Sequence, residues 1–473
     1  MRQKAAVVEP DLAVGNLPRK LFGTSGIRGS VDDFLTPEFC VRAGLSFAAL
    51  LENKGTVLVG RDVRLSSQMV QNAVMSGLSA GGIDTVDCGI VPTPAMLFAL
   101  KKLRHSGGVM VTGSHTPPPT NGLLFFLADT GEMDERGEGR FEEFFRSGRL
   151  RREPWNRLGR ISTLGIIEIY AEQVQKEIGD IGGYRVVVDP GNGATCATLG
   201  PVLERLGCEV VTINGQPDGT FPSRSPYPQP STLGQLSSAV KEAKADLGVG
   251  TDSDGDRAIF ATENGRVLWG DKTCAIFVKN ELEKQGRGRI VTTVNTSNLI
   301  RRICREYGAA LTVTKVGPPA IAEALRSFDD AIFAAEESGK YIWPQVLTYG
   351  DAALATGNLL QVMKKEHKSL EELEAELPRF HQFKSTIACP DELKAQAIQV
   401  ALQTWNKKEN AEVSTVDGLR VDYPNNSSFL LRASGTEPAL RCYSESQDEG
   451  EARELMNIVS ALARDAISKA KEE

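Results

Sequence analysis

The sequence predicts an α/β chain of three similar domains with mixed, largely parallel sheets, followed by a smaller C-terminal α+β domain. Three observations predict it. A strand–turn–helix–strand pattern recurs three times at wide spacing, a glycine closes the helix of each copy, and the last hundred residues change grammar. At roughly 100–200 residues per domain, a chain of 473 residues suits about three to four domains.

In the first copy, the apolar run GTVLVG (Gly55–Gly60) reads as a buried strand. The turn RDVRLSS, a helix from Gln68 and a second strand, Ile83–Gly89, follow. The second copy runs YRVVVD (Tyr184–Asp189), PGNGAT, helix TLGPVLERLG and strand Cys208–Ile213. The third runs RIVTTV (Arg289–Val294), NTSN, helix LIRRICREYG and strand ALTVTKVG. β-Branched runs alternating with helix-length stretches argue for β-α-β units. Gly82, Gly207 and Gly308 stand where a helix ends in a left-handed residue. One large doubly wound sheet is the alternative. In the tail, VSTVDGLRVDY, SSFLLRAS and ALRCYSES read as strands before a closing helix. Its Leu455, Ile458, Val459, Leu462, Ala466 and Ile467 form a core stripe. Two charged stretches, near 131–153 and 363–377, read as a solvated hairpin or helix and as one exposed amphipathic helix.

Composition narrows the function. With 54 Lys+Arg against 61 Asp+Glu, the chain has no general attraction for nucleic acid or an anionic membrane, and neither is expected as a partner. The eight cysteines are scattered without a C-x-x-C pair, which fits a reducing cytosol and a cytoplasmic protein. Residues 1–20 hold no apolar core of signal-peptide length and read as a mobile leader or edge segment. No run approaches the length needed to span a bilayer.

The sharpest chemical signal is GTDSDGDRAIF (Gly250–Phe260). Asp252, Asp254 and Asp256 alternate at spacing two, which aims three carboxylates to one side. Such a cluster calls for a cation, and hard oxygens suit Mg²⁺ or Ca²⁺. An EF-hand is disfavoured, because Arg257 stands where that loop needs glycine and the flanks are strand-like. Arg257 suits a phosphate bound beside the ion. VTGSHTPPPTNG (Val111–Gly122) sets Ser114 and His115 at a strand end, stiffened by three prolines; alone it reads equally as a rigid turn. LLRASGTEPALR (Leu431–Arg441) offers small residues whose N–H and hydroxyl groups wrap an anion, with Arg432 and Arg441 for charge. FAAEESGKYIWP brings Glu336, Ser338 and Lys340 into one loop suited to sugar hydroxyls. FGTSGIRG is a further Gly-rich loop, carrying Thr24, Ser25 and Arg28. A P-loop and a G-x-S-x-G elbow are absent, so ATP use through a P-loop and Ser-His-Asp hydrolysis lack support.

Together, and in this order, these loops resemble those of the α-D-phosphohexomutases, the family of phosphoglucomutases, phosphomannomutases and phosphoglucosamine mutases. The resemblance runs from about residue 21 to the C-terminus. It implies a leader at 1–20, domain I (21–157) with a phosphoserine loop and domain II (158–265) with a metal loop. Domain III (266–379) would carry a sugar loop and domain IV (380–473) a phosphate loop, all four around a central cleft. By that resemblance Ser114 carries a phosphoryl group, and Asp252, Asp254 and Asp256 hold Mg²⁺ with it. Glu336 and Ser338 meet sugar hydroxyls. Arg432, Ser434, Gly435 and Thr436 grip the idle phosphate, and Lys315 is a site lysine. The reaction is phosphoryl transfer between the 1- and 6-positions of glucose or mannose phosphate through a bisphosphorylated sugar. Alignment and charge neutralisation supply most of such catalysis, and a mobile fourth domain would let the sugar turn round. The substrate is a small phosphosugar, and a monomer or dimer is expected.

The chain departs from the family pattern at Leu123 and Leu124, where many members carry lysine, at Thr116, and at Ala335 and Lys340 in the sugar loop. Lys340 or His115 is therefore expected as acid/base, with Arg28 in electrostatic support. Glucosamine phosphate or a pentose phosphate is the alternative substrate. A non-catalytic sugar-phosphate sensor and a Mg²⁺ phosphatase are the readings of other kinds.

Overall fold

The computed structural model describes residues 18, 20–405, 411–435 and 437–472. All of the leader except Pro18 and Lys20, and also Thr436, lie outside the described residues. The chain divides into two compact units, one running through Gly270 and taking in Ser338–Leu373, the other made of Asp271–Glu337 and the residues from Glu374 onward.

The first unit opens with β1 (Ile27–Ser30), α1 (Pro37–Leu50), β2 (Thr56–Arg61), α2 (Ser67–Ala80) and β3 (Asp84–Ile90). α3 (Thr93–Leu103), β4 (Gly107–Val111), β5 (Thr120–Leu127), α4 (Glu135–Ser147) and β6 (Ile161–Thr163) follow. The strands form one mixed sheet ordered β1-β5-β4-β2-β3-β6, in which β5 runs antiparallel to both β4 and β1. Helix α1 starts at Thr36, whose Oγ1 accepts a hydrogen bond from Phe39 N, with Pro37 in the first turn. The core beneath is aromatic: Phe22, Phe39, Phe47, Phe125, Phe141 and Phe145 are buried in one cluster. Two of these rings belong to α4, in the stretch expected to be solvated. The charges at 131–153 masked a Phe141/Phe145 pair at helical i,i+4 spacing that turns one face of α4 inward.

The same unit continues through α5 (Ile167–Ile178), β7 (Arg185–Asp189), α6 (Leu199–Arg205), β8 (Glu209–Thr212), α7 (Gly234–Ala243), β9 (Leu247–Thr251) and β10 (Ala258–Thr262). This second sheet is ordered β10-β9-β7-β8. In the second unit, α8 (Gly270–Gln285), β11 (Arg289–Thr293), α9 (Asn298–Glu306), β12 (Ala310–Thr314), α10 (Pro318–Ser327) and β13 (Ala331–Glu336) build a parallel core ordered β13-β11-β12. The three copies thus repeat one strand order, β4-β2-β3, β9-β7-β8 and β13-β11-β12, each with its own sheet. Gly82, Gly207 and Gly308 follow the three C-caps at φ +86°, +90° and +61°, the left-handed closure their spacing predicted.

The chain returns to the first unit with β14 (Lys340–Ile342) and α11 (Ala352–Glu366). Asp351 caps α11 and accepts the Tyr170 hydroxyl at 2.8 Å. The stretch 363–377 is not one helix: His367, at φ +54°, ends α11, and α12 (Leu370–Ala375) buries Leu370 and Leu373. The tail comprises β15 (His381–Ala388), α13 (Asp391–Thr404), β16 (Glu412–Ser414), β17 (Leu419–Asp422), β18 (Ser428–Ala433), β19 (Ala439–Ser446) and α14 (Glu449–Glu472). Its five-stranded antiparallel sheet, β15-β19-β18-β17-β16, packs on α13 and α14. Leu455, Val459, Ala466 and Ile467 of α14 are buried there, with Ile458 and Leu462 partly so. No helix among the described residues is long and apolar enough to cross a membrane.

Candidate active site

The turn between β4 and β5 carries Ser114, and the turn between β9 and β10 carries the aspartates. Both hairpins belong to the first unit. Buried strands on either side fix where each turn emerges; every residue of β4, β9 and β10 is buried. The aspartate loop is therefore flanked by strands, as its sequence implied.

Ser114 is 1% exposed and holds φ +50°, a left-handed backbone that costs a non-glycine residue about 1–3 kcal/mol. Its surroundings impose that geometry. Ser114 N donates to Thr112 Oγ1 at 2.8 Å, and Ser114 O accepts from Ser253 Oγ at 2.8 Å and Arg64 Nη2 at 2.7 Å. Arg64 also donates to the carbonyls of Thr116, Pro117 and Thr120, at 2.7, 2.7 and 2.9 Å. Asp62 holds Arg64 through Nε at 3.1 Å and accepts from Thr112 Oγ1 and Ser67 Oγ. Thr116 closes the turn onto Gly113 O at 2.7 Å. The RDVRLSS turn that carries Asp62 and Arg64 was legible only as a turn.

Ser114 Oγ donates to Asp252 Oδ2 at 2.9 Å across 138 residues of chain. Asp252, Asp254 and Asp256 present ligand atoms within 4.8 Å of one another, all buried. Asp252 Oδ1 accepts from Gly255 N and Arg257 N, folding the loop over its own carboxylate. Gly255 takes φ +73°, and a Cβ there would stand 2.3 Å from Thr195 Cγ2. Asp254 Oδ2 accepts from Thr93 Oγ1 at 2.6 Å. Asp254 Oδ1 and Asp256 Oδ1 are buried without a hydrogen-bond partner. Two orphaned oxygens among three converging carboxylates fit a hard divalent cation. Burial, then the neighbouring Asp256 and Asp254, pushes Asp252 well above the carboxylate range; burial and Asp256 raise Asp254 to about 6. For Asp256, burial is outweighed by Lys340 and Arg257, which hold it below its ordinary value.

Basic groups ring this nest. Lys340 Nζ lies 2.7 Å from Asp256 Oδ2, and Arg257 Nε 3.5 Å from Asp252 Oδ2. The Arg257 guanidinium rests over the Tyr227 ring. His115 Nδ1 is 3.3 Å from Ser114 Oγ; burial, then Arg257, Arg28, Lys340 and Arg64, push its pKa well below the usual histidine value, so the imidazole is neutral. Arg28, expected at the end of a loop, instead lies in β1 opposite Gly122 of β5, the strand that follows the serine turn. Its Nη2 reaches Ser25 Oγ at 3.4 Å. Thr24 is half-buried in the preceding bend, and Ser25 is buried. Ser338 is half-buried in the segment leading to β14.

The remaining expected residues belong to the second unit. Glu336 ends β13 and accepts from Gly317 N at 3.1 Å, at the start of α10; Lys315 is exposed just after β12. Arg432 and Arg441 face each other across β18 and β19. Arg432 Nε binds Asp417 at 3.0 Å, whereas Arg441 binds Glu437 at 2.7 Å and Thr386 Oγ1 at 2.6 Å. Ser434 is buried, its carbonyl accepting Lys394 Nζ at 2.7 Å, while Gly435 is exposed at the tip. Sequence reasoning missed Asp62, Arg64, Thr93, Glu132, Tyr349 and Lys394. Only the polar turn after β2 offered a local signal.

Successive segments match the four domain families of phosphoglucomutase/phosphomannomutase: α/β/α domain I over residues 19–152, domain II over 167–265, domain III over 269–380 and the C-terminal domain over 386–462. A phosphoglucomutase/phosphomannomutase of Thermococcus kodakarensis is 38% identical over 457 residues, covering 95% of this chain and 99% of that one. A phosphopentomutase of the same organism is 32% identical, covering 95% and 100%. The crystal structure of a phosphoglucomutase/phosphomannomutase family protein from Burkholderia thailandensis is 27% identical. It superposes with a TM-score of 0.83, covering 95% of this chain and 97% of that one.

Proposed function

The chain belongs to the phosphoglucomutase/phosphomannomutase family, a family of phosphotransferase-type isomerases, and from that premise we propose the following reaction. It moves a phosphoryl group reversibly between the 1- and 6-positions of glucose or mannose phosphate, through phosphoserine at Ser114 and a bisphosphorylated sugar. The observation that carries this reading is the 2.9 Å contact between the Ser114 hydroxyl and the aspartate nest, two loops far apart in sequence.

Asp252, Asp254 and Asp256 are the ligands of Mg²⁺, which when bound supplies charge neutralisation to the phosphoryl oxygens. The rest is the work of this chain's own groups. The bond from phosphorus to Ser114 Oγ breaks as a bond to a sugar hydroxyl oxygen forms. The sugar oxygen sheds a proton and Ser114 Oγ gains one. Neutral His115, 3.3 Å from that oxygen, exchanges the proton on the serine side, and Lys340 takes the acid/base place on the sugar side. Arg257 and Arg28 add positive charge along the path of the phosphoryl group. Thr24 and Ser25 line its approach, and Glu336 and Ser338 take sugar hydroxyls. Lys315, Arg432, Ser434, Gly435, Thr436 and Arg441 hold the idle phosphate. Burial of Ser114 keeps water from the phosphoserine.

A coupled assay over hexose, hexosamine and pentose 1-phosphates, with Mg²⁺ and a trace of bisphosphate, tests the reading. We expect isomerised product from a hexose phosphate and protein-bound phosphate that Ser114→Ala removes. Release of inorganic phosphate in place of isomer would overturn it in favour of a phosphatase. The phosphopentomutase among the relatives, with Leu124 and Lys340 replacing common family residues, favours a second reading in which the same machinery acts on a pentose or glucosamine phosphate.

A further inference from the structure

Behind Lys340 stands a buried polar chain to which the reaction above gives no part. Glu132 follows β5, bridges to Phe126 and is 2% exposed. Its Oε1 accepts the Ser25 hydroxyl at 2.7 Å and the Tyr349 hydroxyl at 2.8 Å. Lys340 Nζ donates to that same Tyr349 oxygen at 3.4 Å and lies 4.8 Å from the centre of its ring. On its far side Lys340 Nζ meets Asp256 Oδ2 at 2.7 Å. Glu132, Tyr349, Lys340 and Asp256 are all at most 3% exposed. A carboxylate and an ammonium are costly to bury, and both are retained only when their surroundings hold them in place.

We propose that Glu132, acting through Tyr349, is a positioning residue that fixes the Lys340 ammonium on Asp256, so that this aspartate is shared between a built-in cation and a bound one. The proposal rests on the mutase reading for its place in the reaction. Its physical content is independent of turnover. Asp256 gives Oδ2 to Lys340, while its buried Oδ1 accepts no hydrogen bond and lies 3.8 Å from Arg257 Nε. A divalent ion on the second oxygen faces a fixed positive charge across one carboxylate, and that repulsion weakens its hold. Without the Tyr349 hydroxyl, one of its contacts, the Lys340 ammonium is placed less firmly on Asp256, and the ion binds more tightly. Ordinary structural damage to the nest does the opposite.

The test is calorimetric titration of the full-length protein with Mg²⁺, beside steady-state kinetics. Tyr349→Phe removes only the bridging hydroxyl and keeps the ring. We expect it to bind Mg²⁺ roughly three- to tenfold tighter, with kcat down about tenfold and the phosphosugar KM within about twofold. Glu132→Ala should shift both in the same direction. Glu132→Gln, whose amide oxygen still accepts the tyrosine hydroxyl, should stay within about twofold of the parent in Mg²⁺ affinity. Unchanged or weaker Mg²⁺ binding in Tyr349→Phe and Glu132→Ala overturns the proposal, as does a glutamine variant that behaves like the alanine one. If the parent protein binds Mg²⁺ but isomerises no sugar phosphate, the mutase reading falls, while the sign of the Mg²⁺ shift still decides the role of Glu132.

Discussion

Two hydroxyl-bearing hairpin turns in this molecule are held in different ways. The turn between β4 and β5 presents Ser114 on a left-handed backbone, with four carbonyls pinned by one buried arginine. The turn between β18 and β19 presents Ser434 and Gly435; among its described residues the Ser434 carbonyl accepts Lys394 Nζ and the Pro438 carbonyl accepts Cys389 N, and Ser434 N to Ala439 O and Glu437 N to Ser434 Oγ close it. The first has four carbonyls gathered on a single side chain, whereas the described residues of the second are held by separate partners. That difference matches the parts assigned to them. A phosphoryl donor must be aligned to fractions of an ångström, whereas a grip on an idle phosphate tolerates small adjustments.

The contrast can be pressed experimentally. The largest effect is expected from Ser114→Ala, which should lower turnover by on the order of 10³-fold or more and abolish protein-bound phosphate, read by intact mass. Next is Arg64→Ala, which strands four carbonyls and the buried Asp62 carboxylate. It should cost about 3–5 kcal/mol in denaturant unfolding, with a proportionate fall in kcat. Thr93→Val removes the hydroxyl that orients Asp254 and should weaken Mg²⁺ binding by roughly 10- to 100-fold in calorimetry. On the second turn, Lys394→Ala should cost only about 1 kcal/mol and raise the phosphosugar KM a few-fold with kcat nearly unchanged. A Lys394 variant as damaging as the Arg64 one would erase the distinction.

The smallest effect concerns pH. Asp351 has one oxygen saturated by Tyr170, Ala353 N and Leu354 N, and the other buried without a partner; burial raises its pKa to about 6 from an ordinary 3.8. A carboxyl raised on folding stabilises most below its unfolded pKa and loses that contribution as pH rises through its folded one. Asp351→Asn should therefore flatten the fall in unfolding free energy between about pH 4 and 6, measured by denaturant titration across that range.

Much of this was legible in the residues. The three β-α-β units announced themselves through β-branched runs and helix-closing glycines, and the D-S-D-G-D spacing alone gathered the nest. What stayed hidden was whatever depends on meeting across the fold. Arg64 reads as an ordinary turn arginine until the serine turn packs over it. Glu132 and Tyr349 lie 217 positions apart and carry no motif. Strand β15 was missed because its half-buried alternation, HQFKSTIA, lacks the strongly apolar run that marked the others. Phe141 and Phe145 were hidden by the charges between and around them.

The repeated strand order has a wider consequence. The serine turn, the aspartate turn and the Glu336–Lys340 segment each follow the equivalent strand of their own copy, β4, β9 and β13. One architectural slot thus recurs in three copies, and the proposed reaction gives each a different part: donor, ion holder, sugar reader. Change confined to such a slot leaves the scaffold beneath it intact, so on the proposed reading the segment after β13 could be retuned to another sugar without redesigning the other two.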